Sequence, residues 1–266
     1  KALDMALKKD PEYLPARGSR ILLEMRLGHA DQAIALALQL QKDYPSLALG
    51  YRLTGDLYMQ TRNFAGAAEA YAAGFDREPS SGLLLNLFRA EQAAGNSDRG
   101  IGRLKAWLEK NPGDYQIRRL LAALHRRADR LDEAIKQYEI LAQQRPDDFQ
   151  IHNNLAGLYQ IAHDPRALAS AQQAYQLAPK HPASNDTLGW ILVRQGNFKE
   201  GLAYLRQARA RASQQPEVHY HLAVALHGLG RNIEAKQELE AALATEKLFK
   251  EETEARELLA RIGNSR

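Results

Sequence analysis

The chain of 266 residues is 45% hydrophobic and 26% charged, ordinary proportions for a folded protein that exclude a low-complexity disordered chain. Its 36 Lys and Arg against 32 Asp and Glu leave a formal net charge of +4, too small an excess to argue for a nucleic-acid partner. With no cysteine it holds neither a disulfide nor a thiolate metal site, and no run approaches the roughly 20 apolar residues that a membrane-spanning helix needs.

Helical patterning is present from the start. Leu3, Ala6 and Leu7 read as the second helix of a unit closed by Pro11. The chain thus opens inside a repeat and without a methionine, so we expect the preceding helices and any targeting segment to lie upstream. Prolines then recur at Pro11, Pro45, Pro79, Pro112, Pro146, Pro179 and Pro216, with successive differences of 34, 34, 33, 34, 33 and 37 residues. Before nearly every one stand two amphipathic helical patterns joined by a short turn. A period of this length predicts stacked helix pairs, because one pair cannot bury its apolar face alone.

The units in chain order are a half-repeat at 1–13, repeats at about 14–46, 47–80, 81–113, 114–147, 148–180, 181–217 and 218–248, and a capping helix at 249–263. The clearest runs from Tyr51 to Pro79, with Tyr51, Gly55 and Tyr58 on its first helix and Phe64, Ala67, Tyr71 and Gly74 on its second. This pattern of large and small residues resembles the tetratricopeptide repeat, in which small residues let antiparallel helices approach and a final proline ends the pair. Leu121, Ala122, Ala134, Tyr138 and Pro146 follow it, as do Leu155, Ala156, Tyr159, Ala167, Ala174 and Pro179. Leu188, Gly189, Gly196, Phe198, Leu205 and Ala208 make another unit, and the spacing of 37 implies about three inserted residues before Pro216. In the units around Gly28 and Gly95, Ile21 and Phe88 occupy positions meant for small residues, so splayed packing is expected there. Phe249, Ala255, Leu258, Leu259 and Ile262 share one face of a final helix, as a cap requires. The expected fold is all-α, a right-handed superhelical solenoid of antiparallel helix pairs.

The second half carries a narrower resemblance. Asn153–Gln160 (NNLAGLYQ), Asp164–Pro179 (DPRALASAQQAYQLAP), Asp186–Asn197 (DTLGWILVRQGN) and Pro216–Gly230 (PEVHYHLAVALHGLG) occur in that order, with EARELLARI near the end. Together they resemble the PEP-CTERM system tetratricopeptide-repeat lipoproteins of exosortase-linked exopolysaccharide loci in Gram-negative bacteria. Gly157 departs from the bulky aromatic expected at its position. The resemblance implies a scaffold at the periplasm or outer membrane, held to the membrane only through a lipid anchor outside this chain.

In such repeats the first helix of each pair lines a concave groove. The candidates for contact with a partner are Arg52, Asn86, Arg89, Arg119, Arg126, Arg127, Asn153, Asn154, Asp186, Trp190 and Tyr220, with Gln160 beside them. Arg119, Arg126 and Arg130 are spaced to share one helical side, a basic patch suited to a carboxylate-bearing peptide terminus or an anionic glycan. Asn86, Asn153, Asn154 and Asn185 could clamp a peptide backbone or sugar hydroxyls, or serve nearby backbone groups instead. Trp190 and Trp107 read mainly as packing residues, with Trp190 placed at the groove edge. His219 and His221 are two residues apart and point in different directions on a helix, so no metal or other cofactor is expected. No catalytic motif is present, and Glu251, Glu252 and Glu254 read as a charged helix face. The expectation is a non-enzymatic scaffold that holds a protein or peptide segment in its groove during exopolysaccharide assembly or export. The alternative is direct binding of polysaccharide, anionic polysaccharide in particular, by the same groove.

Overall fold

The structure, a computed structural model, describes residues 2–245 and 248–264. Among them are sixteen α-helices and no strand. The chain divides into two compact units, Lys1–Leu121 and Ala122–Arg266. The first holds α1 (Ala2–Lys9), α2 (Leu14–Arg26), α3 (Ala30–Asp43), α4 (Ala48–Gln60), α5 (Phe64–Arg77), α6 (Ser81–Ala93), α7 (Ser97–Lys110) and the start of α8 (Tyr115–Arg127). The second holds the rest of α8, α9 (Leu131–Gln144), α10 (Phe149–Ile161), α11 (Ala167–Leu177), α12 (Pro182–Arg194), α13 (Phe198–Arg211), α14 (Pro216–Gly228), α15 (Asn232–Leu243) and α16 (Glu252–Asn264).

The turn inside each pair is built the same way. Gly28, Arg62, Gly95, Asp129, His163, Gly196 and Gly230 all have positive φ, between 52° and 84°, at intervals of 33 or 34 residues. A left-handed residue just past a helix lets the following amides reach back to the last carbonyls: His29 N–H bonds to Glu24 O at 2.9 Å, and Asn63 N–H to Tyr58 O at 2.8 Å. Glycine takes this conformation without a side-chain penalty; Arg62, Asp129 and His163 do not.

Pair-to-pair junctions share a second regularity. At the junctions after Pro45, Pro112, Pro146 and Pro179, the residue six places after the closing proline lies on the next first helix and returns its side chain to that proline's carbonyl, whereas Arg17, six after Pro11, turns to Asp43 instead. Arg118 Nη2 donates to Pro112 O at 2.8 Å, His152 Nε2 to Pro146 O at 2.9 Å and Asn185 Nδ2 to Pro179 O at 2.8 Å. Tyr51 Oη reaches Pro45 O at the long limit of 3.5 Å. His219 Nε2 donates to Ser213 O at 2.9 Å, which identifies Ser213, 34 residues after Pro179, as the closing residue of its pair. The expected three-residue insertion is therefore absent. Pro216 instead opens α14 in the first turn, where a missing N–H costs nothing.

Packing within pairs follows side-chain size. A Cβ on Gly55 would stand 2.6 Å from the Tyr71 ring, so the ring fills that space. At α12 and α13 the backbones themselves touch: a Cβ on Gly189 would lie 2.7 Å from Leu205 Cγ and 2.9 Å from Gly201 O. Phe88 is accommodated on Gly100, whose Cβ would come within 2.7 Å of the ring, and α6 and α7 approach less closely than α4 and α5. Leu57, Leu84, Leu104, Ile151 and Leu205 are among the largest side chains sealed from water, each stabilising the fold by about 2 kcal/mol. In the second unit α16 adds Ala255, Leu258 and Ile262 to the core that contains Leu239 and Ala242.

Candidate functional site

Each unit carries an open groove on its first helices. In the first unit α4 and α6 flank a groove of about 760 Å³. Leu49, Leu83 and Leu85 supply its apolar lining, and Arg52, Asn86 and Arg89 its polar one. Three residues read from the sequence as partner contacts thus meet in one place. Arg52 is partly engaged, holding Asp56 at 3.2 Å, and Asp56 also accepts from Tyr71 Oη at 2.7 Å. Burial first, then Asp56, pushes the Tyr71 hydroxyl well above its ordinary pKa. Asn86 and the exposed Arg89 make no side-chain hydrogen bond or ion pair among the described residues. Leu85 occupies the sixth place after Pro79 and cannot make the carbonyl bond found after Pro45, Pro112, Pro146 and Pro179.

In the second unit α10, α12 and α14, with the start of α16, surround a groove of about 480 Å³. Trp190 and Tyr220 line it, as does Gln160, whose Nε2 is sealed from water without a hydrogen-bond partner. Trp190 is braced from behind by His221, its ring stacked at 4.1 Å with 14° between planes. His221 Nδ1 in turn faces Asp186 Oδ1 at 2.9 Å. Asp186, Trp190 and Tyr220 are therefore one assembly, and His221, which sequence reasoning weighed only as a metal ligand, holds it together. Glu251 and Glu254 also line this groove, whereas Glu252 pairs with Arg256 at 2.7 Å. The three glutamates do not form one charged face. Burial raises the Tyr220 hydroxyl above its ordinary pKa, and Glu254 and Glu251 add to that rise.

The arginine patch is not one surface. α8 ends at Arg127, Asp129 turns the chain with φ 52°, and Arg130 is the N-cap residue of α9. Arg130 therefore cannot share a side of α8 with Arg119 and Arg126. Arg126 Nη1 donates to Asn154 Oδ1 at 3.2 Å, which ties α8 to α10. Arg119 and Arg127 are exposed and line neither groove, and Asn153 points its Oδ1 into a water-free position without a partner. Asn185 is fully buried and donates to Pro179 O and His181 O, so it serves the backbone and not a ligand. Trp107 is a packing residue: its Nε1 donates to Asp114 at 2.7 Å and its ring meets Phe75. His219 and His221 do point apart, toward Glu238 and Asp186 respectively.

Models of the tetratricopeptide repeat match residues 19–81, 85–149 and 192–262. No curated protein sequence matches the chain. Among solved structures, the C-terminal part of a repeat protein from Cytophaga hutchinsonii is similar at 11% identity and a TM-score of 0.65, covering 90% of this chain and 98% of that one. A tetratricopeptide repeat protein from Parabacteroides merdae is similar at 12% identity and a TM-score of 0.57, covering 92% and 97%. A chain of the Cut9–Hcn1 hetero-tetramer of APC/C aligns at 16% identity and a TM-score of 0.58; it covers 98% of this chain, which spans 51% of that one. At such identities the likeness is one of fold, and it is the fold built here from turn, junction and packing. The chain belongs to the tetratricopeptide-repeat family.

Proposed function

We propose that the chain is a non-enzymatic scaffold that holds a segment of a partner protein against the first-helix faces of its repeats. The observation that carries this reading is the Arg52–Asn86–Arg89 groove, where an unpaired guanidinium and amide stand beside three leucines. Apolar anchoring with a few polar groups for register is how such a surface holds a polypeptide. The fold is shared with a chain of the Cut9–Hcn1 hetero-tetramer, itself a protein assembly. We further propose that the partner belongs to bacterial exopolysaccharide assembly or export, or to the associated PEP-CTERM sorting system. The support is the ordered strings from Asn153 to Gly230. On this reading the protein works at the periplasmic side of the envelope, through a lipid anchor outside this chain.

The test is affinity capture from a Gram-negative envelope extract that contains an exosortase locus, using the wild type and an Asn86→Ala/Arg89→Glu variant. Both residues are at least partly exposed, so the variant should keep the wild-type melting temperature. An envelope protein encoded at that locus, retained by the wild type and lost by the variant, is the expected result. Identical eluates would overturn the groove assignment. Retained polysaccharide without protein would favour direct glycan binding, the second reading, for which the groove-lining Trp190 beside Gln160 and Gln195 is the supporting observation.

A further inference from the structure

The second-unit groove differs in charge from the first. Its acidic lining residues are Asp164, Glu251 and Glu254; its arginine is Arg194, and His163 lies at the edge. Asp164 is already committed, since Arg166 holds it through both carboxylate oxygens. Glu251 and Glu254 have no ion-pair partner among the described residues. Arg194 lies with its guanidinium 5.7 Å from the Trp190 centroid. Two carboxylates without an ion-pair partner and one guanidinium therefore line the groove, with Arg261 near enough to act on the Tyr220 hydroxyl, in a chain whose net charge is +4. Two aromatic rings, Trp190 and Tyr220, line the same groove, and ring faces attract cations and not anions.

We propose that this groove is a subsite for a cationic side chain, lysine or arginine, of the partner's polypeptide. The methylenes lie along Tyr220 and the edge of Trp190, and the charge sits between Glu251 and Glu254. The stacked His221 fixes the plane of Trp190, so the aromatic wall is formed before the guest arrives. Gln160 offers its unpartnered amide N–H to the guest's main-chain carbonyl once the side chain turns into the groove. Arg194 opposes the guest and makes the site selective: it disfavours basic segments that lack the full contact with both glutamates. This inference rests on the scaffold reading and specifies what one part of the partner must carry.

The experiment follows the indole N–H resonance of Trp190, assigned with a Trp190→Phe variant, in NMR titrations at low ionic strength. The probes are an acetylated and amidated pentapeptide with lysine between two leucines, its glutamine and glutamate counterparts, and cellotetraose. The expected result is a shift of the Trp190 resonance with the lysine peptide and binding about five-fold weaker for the glutamine peptide, weaker still for glutamate. Glu251→Gln/Glu254→Gln should abolish that preference, while Arg194→Gln should raise the affinity for the lysine peptide about two-fold. Opposite signs from two surface changes cannot come from misfolding. Equal binding of all three peptides would overturn the cation subsite and leave the scaffold reading standing. A response to cellotetraose alone would overturn both, and no response to any probe would overturn the subsite, with envelope capture deciding the scaffold reading separately.

Discussion

His219 and Glu238 form an ion pair in the interior of the last repeat. The Nδ1 of His219 is 2.6 Å from Glu238 Oε2, while its Nε2 donates to the carbonyl of Ser213. Neither partner can donate to the ring when Glu238 is ionised, so both nitrogens carry hydrogen and the ring is an imidazolium. The Glu238 hydrogen bond holds the His219 pKa above its ordinary value despite burial. Burial alone would raise Glu238, but His219 and Arg209, the latter at 3.0 Å, bring it below the ordinary carboxylate value. At the other bonded junctions an asparagine, a tyrosine, an arginine or, at Pro146, the histidine His152 makes the carbonyl contact. Here the contacting histidine also faces a carboxylate, Glu238.

This pairing sets the sign of a pH effect. A raised histidine pKa contributes stability fully below the unfolded value of 6.5 and loses it as the pH climbs through the folded value. A lowered glutamate pKa contributes fully above 4.5 and loses it as the pH falls through the folded value. The pair is at full strength between about 4.5 and 6.5, and the melting temperature should fall from pH 6 to pH 8.5. His219→Asn, which places at Ser213 the amide that Asn185 uses at Pro179, should flatten that slope. Parallel slopes in thermal melts of the two proteins would remove His219 as its source.

Asn185 tests the neutral form of the junction. Its side chain is fully buried and donates both amide hydrogens to backbone carbonyls. Asn185→Ala should lower the unfolding free energy by about 2 kcal/mol, since it strips partners from carbonyls that water does not easily reach. Chemical denaturation would show this as a lower midpoint. A loss below about 0.5 kcal/mol would mean that the junction carbonyls find other partners.

Arg62 carries φ of 60° at the turn where four other pairs use glycine. Its side chain is exposed and makes no ion pair among the described residues. Arg62→Gly should therefore stabilise the protein by about 0.5–1 kcal/mol, the relief of a left-handed conformation outweighing the added freedom of the unfolded chain. A lower denaturation midpoint in the variant would count against this account.

How far the sequence revealed these features depended on how each is encoded. The helix pairs were legible because apolar periodicity and closing prolines repeat in residue type. The turn at Arg62, Asp129 and His163 was not, because the conformation repeats while the residue changes. The junction bond was hidden for the same reason: tyrosine, arginine, histidine and asparagine all perform it, and Ser213 replaces the closing proline. In the first groove, counting from the small residue of each first helix found Arg52, Asn86 and Arg89, since all three lie on α4 and α6. In the second groove it found Trp190 and Tyr220 but passed over Glu251 and Glu254, which arrive from outside the repeat and have no repeat position to count from. Arg130 misled because helical spacing was extended through a turn that no glycine marked.

Gly189 and Gly157 stand on neighbouring first helices and should respond oppositely to the same methyl group. On α12 a Cβ at position 189 would stand 2.7 Å from Leu205 Cγ and 2.9 Å from the Gly201 carbonyl oxygen, a backbone atom that cannot move without shifting α13. Gly189→Ala should cost about 2–3 kcal/mol as an overpacked core position. On α10 a Cβ at Gly157 meets nothing within 4 Å, and the site lies in the helix interior, where glycine costs about 1 kcal/mol relative to alanine. Gly157→Ala should therefore stabilise by about 0.5–1 kcal/mol. Urea denaturation of the two variants tests both signs at once. The open space at Gly157 also explains why the bulky aromatic expected there can be missing without loss of the fold: no neighbour depends on it.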